Sequence, residues 1–223
     1  MDDRQSQIRE QAGLTESRLN EDFIEFLRKY STPLLLVVAV AAAGFFAYRK
    51  YEERKSNTRD EARAQLASAL EGGEPSPEAL VAIADSFEGV DAVSSEALLY
   101  AAEAHLRAAT RGVKPGSQLA SDGTLSSPED ALTPEERDAE LASAKSLFDR
   151  VIAENPQRDR TVIRLYAMWG LAAIAESKSD FAQAKQLYEQ IETQSRAAGY
   201  EDNAKIARAR IDSLATLENA PPL

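Results

Sequence analysis

Between Tyr30 and Tyr48 the chain runs for nineteen residues, YSTPLLLVVAVAAAGFFAY, without a charge. As a helix at about 1.5 Å per residue this stretch is about 28 Å long, close to the ~30 Å hydrocarbon thickness of a bilayer. No other feature restricts the fold as strongly. Arg28-Lys29 and Arg49-Lys50 bracket the run, and Tyr30, Tyr48 and Tyr51 stand at its ends, the cations and rings that a spanning helix places at the two interfaces. Pro33, behind Ser31 and Thr32 as caps, is expected to open the helix at its first turn. A buried core helix would leave two dibasic pairs flanking a buried element. A cleaved signal peptide would need a leader of about thirty residues, where a short basic one is usual; this leader carries seven acids. Small residues occur at Ala39-Val40-Ala41 and Ala41-Ala42-Ala43, but the apolar run continues past them through Phe45-Phe46. The residues favour an uncleaved anchor over 30–48 in contact with the lipid bilayer.

Before the anchor, Leu19, Phe23, Phe26, Leu27 and Tyr30 repeat at helical spacing among Glu21, Asp22, Glu25 and Arg28. Residues 19–29 therefore read as an amphipathic helix, lying in the interface or feeding into the span, and residues 1–18 as a polar, disordered leader. Three basic residues precede the anchor closely (Arg18, Arg28, Lys29) and six follow it (Arg49, Lys50, Arg54, Lys55, Arg59, Arg63). By the positive-inside rule this leans toward a cytoplasmic C-terminal domain.

With 223 residues, the chain has room for one globular domain plus such an attachment. It has no Cys and one His, which removes disulfides, thiolate nucleophiles, zinc–cysteine sites and most acid–base constellations. The net charge of −11 repels phosphate backbones, so no nucleic-acid partner is expected. Ala is one residue in six, 39 in all, which suits closely packed helices and not a β-sandwich. The fold class is all-α.

Residues 49–76 read as a charged helix and linker interrupted at Gly72-Gly73, 77–218 as a helical domain, and 219–223 as a tail. Ser76-Pro77-Glu78, Ser127-Pro128-Glu129 and Thr133-Pro134-Glu135-Glu136 each place a hydroxyl at N-cap, Pro at the first helical position and acid in the first turn. Glu136 also completes a capping box. Apolar stripes at 3.6-residue spacing follow: Ala97, Leu98, Ala101, His105 and Ala108; then Leu141, Ala144, Leu147, Phe148, Val151 and Ile152. Leu165, Met168, Ala172 and Ala175 form the next, then Phe181, Ala184, Leu187, Tyr188 and Ile191, and last Ala204, Ala207, Ile211 and Leu214. Residues 112–132, rich in Gly, Ser and Pro, read as a mobile loop.

Ala144, Phe148 and Val151 recur as Ala184, Tyr188 and Ile191, forty residues on, with the small–aromatic–aliphatic order kept. The stretch from Leu165 to about Ala198 resembles a tetratricopeptide repeat. Leu171 and Ala172 stand at the Leu and small-residue positions of its first helix, and Phe181, Ala184, Tyr188 and Ile191 at the packing positions of its second. Ala144, Phe148, Val151 and the closing Pro156 match an earlier unit, whose first helix would be 94–111. The chain departs from the pattern at Met168, where the repeat usually has Trp, at Ala175, where it has Tyr, and at Arg196, where it has Pro. The repeats are degenerate.

The order of a short leader containing LNEDFIEFLRKY, one anchor ending FFAYRKYEERK, and helical repeats resembles the bacterial ancillary subunits of the Sec translocon. The likeness covers most of the chain in layout and is best over 20–55 and 80–106. It implies the cytoplasmic (inner) membrane, a repeat domain on the periplasmic side, and a scaffold that docks other proteins: translocon subunits, chaperones or exported chains. This orientation opposes the flanking charges, but long domains translocate largely regardless of them. A structural accessory subunit held mainly by its anchor, or a cytoplasmic-facing adaptor, are the other readings.

The chemical candidates are few. His105, on an apolar stripe, reads as a packed, hydrogen-bonded residue and not a general base or ligand. Eight acids and no Lys or Arg lie between Ala64 and Leu106; a solvated acidic surface is favoured over a face for a basic partner or a weakly bound divalent cation. No phosphate-cradling glycine loop, nucleophile elbow or catalytic carboxylate pair occurs, so neither an enzyme nor a small-molecule substrate, metal or cofactor is expected. On the repeat alignment the inner groove falls on Tyr166, Trp169, Ala173 and Glu176, and an aromatic-lined groove suits a peptide. The alternative is Trp169 packed onto a neighbouring helix.

Overall fold

The computed structural model describes the backbone at residues 3–71, 75–117, 125 and 127–218, and the side chains at 23–26, 28–71, 75–117, 125 and 127–214. Its backbone contacts divide the chain into two compact units, Met1–Asn57 and Thr58–Leu223. The described residues are helical, without a strand. The helices are α1 (Asp3–Glu71), α2 (Pro77–Ser86), α3 (Val93–Arg111), α4 (Pro134–Glu154), α5 (Thr161–Ser177), α6 (Phe181–Ala197) and α7 (Glu201–Glu218), with 3-10 turns at Pro128–Asp130 and Arg158–Arg160. Gly72-Gly73, the tail 219–223, residues 118–124 of the loop, and the side chains of the leader, Leu19 and Leu27 lie outside the described residues.

In the first unit α1 contains an apolar stretch long enough to cross a membrane, with a mean hydropathy of 1.9 over its most apolar window and none of that window buried. Leu35 and Phe46 are two-thirds exposed. At the start of the run the Phe26 and Tyr30 rings are 5.0 Å apart, and the Lys29 ammonium lies 5.6 Å from the Tyr30 ring. The bounds of α1 take in residues 3–18, expected to be an unstructured leader. One expectation is corrected: Pro33 does not open a helix but sits inside α1. The helix is already under way through the amphipathic segment when it reaches Pro33, so the ring's missing N–H removes a hydrogen bond to the carbonyl four residues back.

The second unit has two buried apolar clusters that meet on α5. The first gathers Ala62 and Leu66 of α1, Leu80 and Ala84 of α2, the alanines and Leu98 of α3, and Leu141, Ala144, Phe148 and Val151 of α4 against Ala167 and Ile174. The second gathers Leu165, Met168, Ala172 and Ala175 of α5, Ala184, Tyr188 and Ile191 of α6, and Ala207, Ile211 and Leu214 of α7. Helix α5 is therefore apolar on two faces, and the stripe Leu165, Met168, Ala172 and Ala175 is one of them. Leu171 and Phe181 are half-buried at the edges of these clusters. Burying a side chain the size of Phe148 contributes about 1.5–3 kcal/mol. Gly170 is what allows it: a Cβ at this position would overlap the Cζ end of the Phe148 ring.

Two of the three expected caps form α-helices. Ser76 accepts from the Ala79 amide at 3.3 Å. Thr133 and Glu136 exchange both bonds of a capping box, at 3.2 and 2.8 Å. Ser127 caps only the 3-10 turn Pro128–Asp130, because Ala131 is extended and bridges Val113. The described ends of the expected mobile loop are thereby tied together: Lys114 donates to the Asp130 carbonyl and Leu132 to that of Gly112, both at 2.9 Å. Gly112, at φ +69°, ends α3 in the left-handed conformation that a residue with a Cβ adopts at a cost.

Candidate functional site

Helix α5 carries Val162, Tyr166 and Trp169 on one face, at spacings of four and three. Helix α7 turns Asn203, Ile206 and Arg210 toward them, and Gly199 and Tyr200 of the connection, with Glu201 and Asp202 of the first α7 turn, close the space into a groove of about 750 Å³. The connection is a Schellman turn: Tyr200 donates to the Ser195 carbonyl at 2.8 Å and Gly199 to that of Arg196 at 3.0 Å. Gly199, at φ +82°, is the residue that makes this turn available without strain. Tyr200 is thereby delivered to the groove edge.

The wall of the groove is held by a chain of polar contacts. Trp169 donates from Nε1 to Asn203 Oδ1 at 3.1 Å, and Asn203 donates onward to the Ser195 hydroxyl at 2.9 Å. Behind the indole, Tyr188 lies 5.2 Å away, tilted by 54°. The Tyr188 hydroxyl donates to Glu176 Oε1 at 2.8 Å. Burial, and then this bond to a carboxylate, push the Tyr188 hydroxyl well above the ordinary tyrosine range, so it stays a neutral donor. Trp169 is thus half-buried and fixed on both edges, a preorganised surface whose ordering cost falls on folding and not on binding.

Two of the four residues expected in the groove line it and two do not. Tyr166, 60% exposed, and Trp169 are brought together there. Ala173 and Glu176 continue the same α5 stripe but lie outside the groove lining, and Glu176 accepts a hydrogen bond from Tyr188 of α6. The packed reading of Trp169 also holds in part, since its indole leans on α6 and bonds α7. Tyr200 and Ile206 also line the groove, and neither belongs to an apolar stripe of the sequence. Ile206 did carry a signal: it is a large aliphatic residue out of register with the Ala204, Ala207, Ile211 and Leu214 stripe. Below the other side of Val162 and Tyr166 lies a second depression, shared with Glu96, Leu99, Tyr100 and Glu103 of α3.

Across the described residues of Thr58–Leu223 the exposed large hydrophobic side chains are Tyr100, Val162, Tyr166, Tyr200 and Ile206. All five line these two adjoining depressions. Scattered exposed apolar residues are ordinary, whereas their collection on one surface marks an interaction site.

His105 Nδ1 and Glu140 Oε2 are 2.5 Å apart between α3 and α4, both mostly buried. No group of three His, Cys, Asp or Glu side chains converges as a metal site among the described residues. Part of the acidic run is paired: Asp91 with Arg59 and Arg63, and Asp85 with Arg150. Glu78 is held below the usual carboxylate range, chiefly by the Ser76 hydroxyl. No family model, curated protein or solved structure matches this chain.

Proposed function

We propose that the protein is a membrane-anchored helical scaffold, built of degenerate tetratricopeptide-like repeats, that docks other proteins in the α5–α7 groove. The observation that carries this reading is the convergence of the five exposed large hydrophobics on one surface. A preorganised Trp beside exposed Tyr and Ile is the composition of a binding hot spot. Among the described residues no group of three His, Cys, Asp or Glu side chains forms a metal site on this surface. The resemblance of the layout to the ancillary Sec-translocon subunits supports a task in protein export or chaperone transfer, with the domain on the periplasmic side of the inner membrane. The anchor would keep the domain in the plane where its partners lie, and the resulting effective concentration lets a shallow groove suffice.

The test is site-directed photo-cross-linking of the full chain in its own membrane. A cross-linker at Ile206 is expected to capture protein partners that one at Ala182, exposed on α6 and outside the groove, does not. Cross-links confined to Leu35 in the anchor would favour the structural-subunit reading. The chain has no Cys, so Ala182→Cys also reports topology. Labelling by an impermeant maleimide before lysis of the inner membrane supports the periplasmic orientation, and labelling only after lysis makes the protein a cytoplasmic-facing adaptor.

A further inference from the structure

We infer that the occupant of the groove is a basic segment of another polypeptide, carrying large apolar side chains between its Lys or Arg residues. This rests on the groove being a docking site, and adds which chemistry fills it. The first observation is where the charge falls. Residues 1–57 hold nine acids and nine bases, whereas residues 58–223 hold 28 acids and 17 bases, so the whole net charge of −11 belongs to the unit that carries the groove. Such a field raises the encounter rate with cationic segments and repels acidic ones.

The second observation is local. Glu201 and Asp202 stand at the α7 end of the patch, and Glu96 and Glu103 at its α3 side, with Arg210 as the cation in the lining. Three of the four, Glu96, Glu201 and Asp202, lie in the first turn of their helices, where the helix dipole alone favours acids. Asp202 is also paired with Lys205 at 2.9 Å. Those terms discount their pull on a partner, but Glu103, in the body of α3, has no such reason to be acidic. The third observation is the rings. Tyr100, Tyr166 and Tyr200 are exposed beside these carboxylates, and the quadrupole of an aromatic ring attracts a cation placed over its face. Apolar anchors would enter between Trp169 and Ile206 while flanking cations meet the carboxylates and rings.

The experiment uses the full chain in non-ionic detergent micelles. Trp169 is the one tryptophan and stands in the groove wall, so its emission reports occupancy. Three Trp-free peptides of roughly fifteen residues, about 22 Å as helices, are titrated: amphipathic Leu–Lys and Leu–Glu, and the wholly polar Ser–Lys. The Leu–Lys peptide is expected to shift the emission saturably, at least ~10-fold more tightly than the other two, and to weaken by ~10-fold on raising salt from about 50 to about 300 mM. Glu103→Gln with Glu201→Gln should weaken it several-fold and flatten the salt dependence. Equal binding of the Leu–Glu peptide would overturn the charge inference while leaving a docking groove. Leu–Lys binding that survives Ile206→Ser unchanged would mean contact outside the groove, and overturns it too. No shift with any peptide, together with Ile206 cross-links no different from those at Ala182, would bring down the docking reading itself.

Discussion

Phe148 on α4 and Tyr188 on α6 stand forty residues apart in the same small–aromatic–aliphatic pattern. They are equally buried, at 1% and 2% exposure, yet they serve different ends. Phe148 ends in hydrocarbon, so it seats flat on the bare backbone of Gly170 and closes the first cluster against α5. Tyr188 carries one more oxygen, which a dry core would leave unpaired at a cost of about 1–3 kcal/mol. It takes Glu176 as a partner and supports the Trp169 wall of the groove. One sequence pattern thus yields a structural seal in one place and the back of a site in the other, and the difference is a single polar atom with somewhere to go.

Three substitutions would break or sharpen this contrast. The largest effect is expected from Phe148→Ala, which leaves a cavity between α4 and α5 and should cost about 3–5 kcal/mol in denaturant unfolding followed by circular dichroism. A loss near that of an exposed residue would end the view that Phe148 seals the core. Gly170→Ala comes next. Its methyl overlaps the Phe148 ring, so about 1–3 kcal/mol is expected. The double variant Gly170→Ala with Phe148→Leu should lose less than the two single losses added together. Strict additivity would show that the two positions do not touch.

The smallest effect is that of Tyr188→Phe, about 1 kcal/mol, accompanied by a change in Trp169 emission. Its pH dependence is more telling than its size. The hydroxyl's pKa is raised in the folded state by burial and by Glu176. Its contribution is therefore fully present below pH ~10, where an unfolded tyrosine ionises, and is lost as pH climbs toward the raised folded value. Unfolding measured from neutral pH to above pH ~10 should show a steeper alkaline loss for the native chain than for Tyr188→Phe. Parallel curves would mean that Tyr188 is not held neutral by its surroundings.

Much of this was legible in local pattern. The uncharged run marked the apolar part of α1, and Ser76-Pro77 and Thr133-Pro134 marked two helix starts. The Ser127-Pro128 motif misled because three residues later the backbone is drawn into the bridge with Val113, a contact no local signal announces. Pro33 misled for the opposite reason: a strong helix upstream carried through it. In the groove, Tyr166 and Trp169 stand where the resemblance to the repeat places them. Ala173 and Glu176 were placed by the same resemblance but lie outside the lining, and Glu176 is bonded to Tyr188 of α6.

Taken alone, the sequence determines the all-helical class, the membrane-length segment, two helix starts and one buried stripe on each helix from α3 to α7, because caps and 3.6-residue periodicity act within a few turns of chain. The tertiary structure decides which exposed residues meet. Ile206 and Tyr200 acquire meaning only when the Schellman turn at Gly199 folds α7 back beside α5, and Gly170 only when Phe148 arrives from α4. Those encounters depend on how helices pack and cross, set by side-chain volumes summed over whole faces, and no single segment contains them.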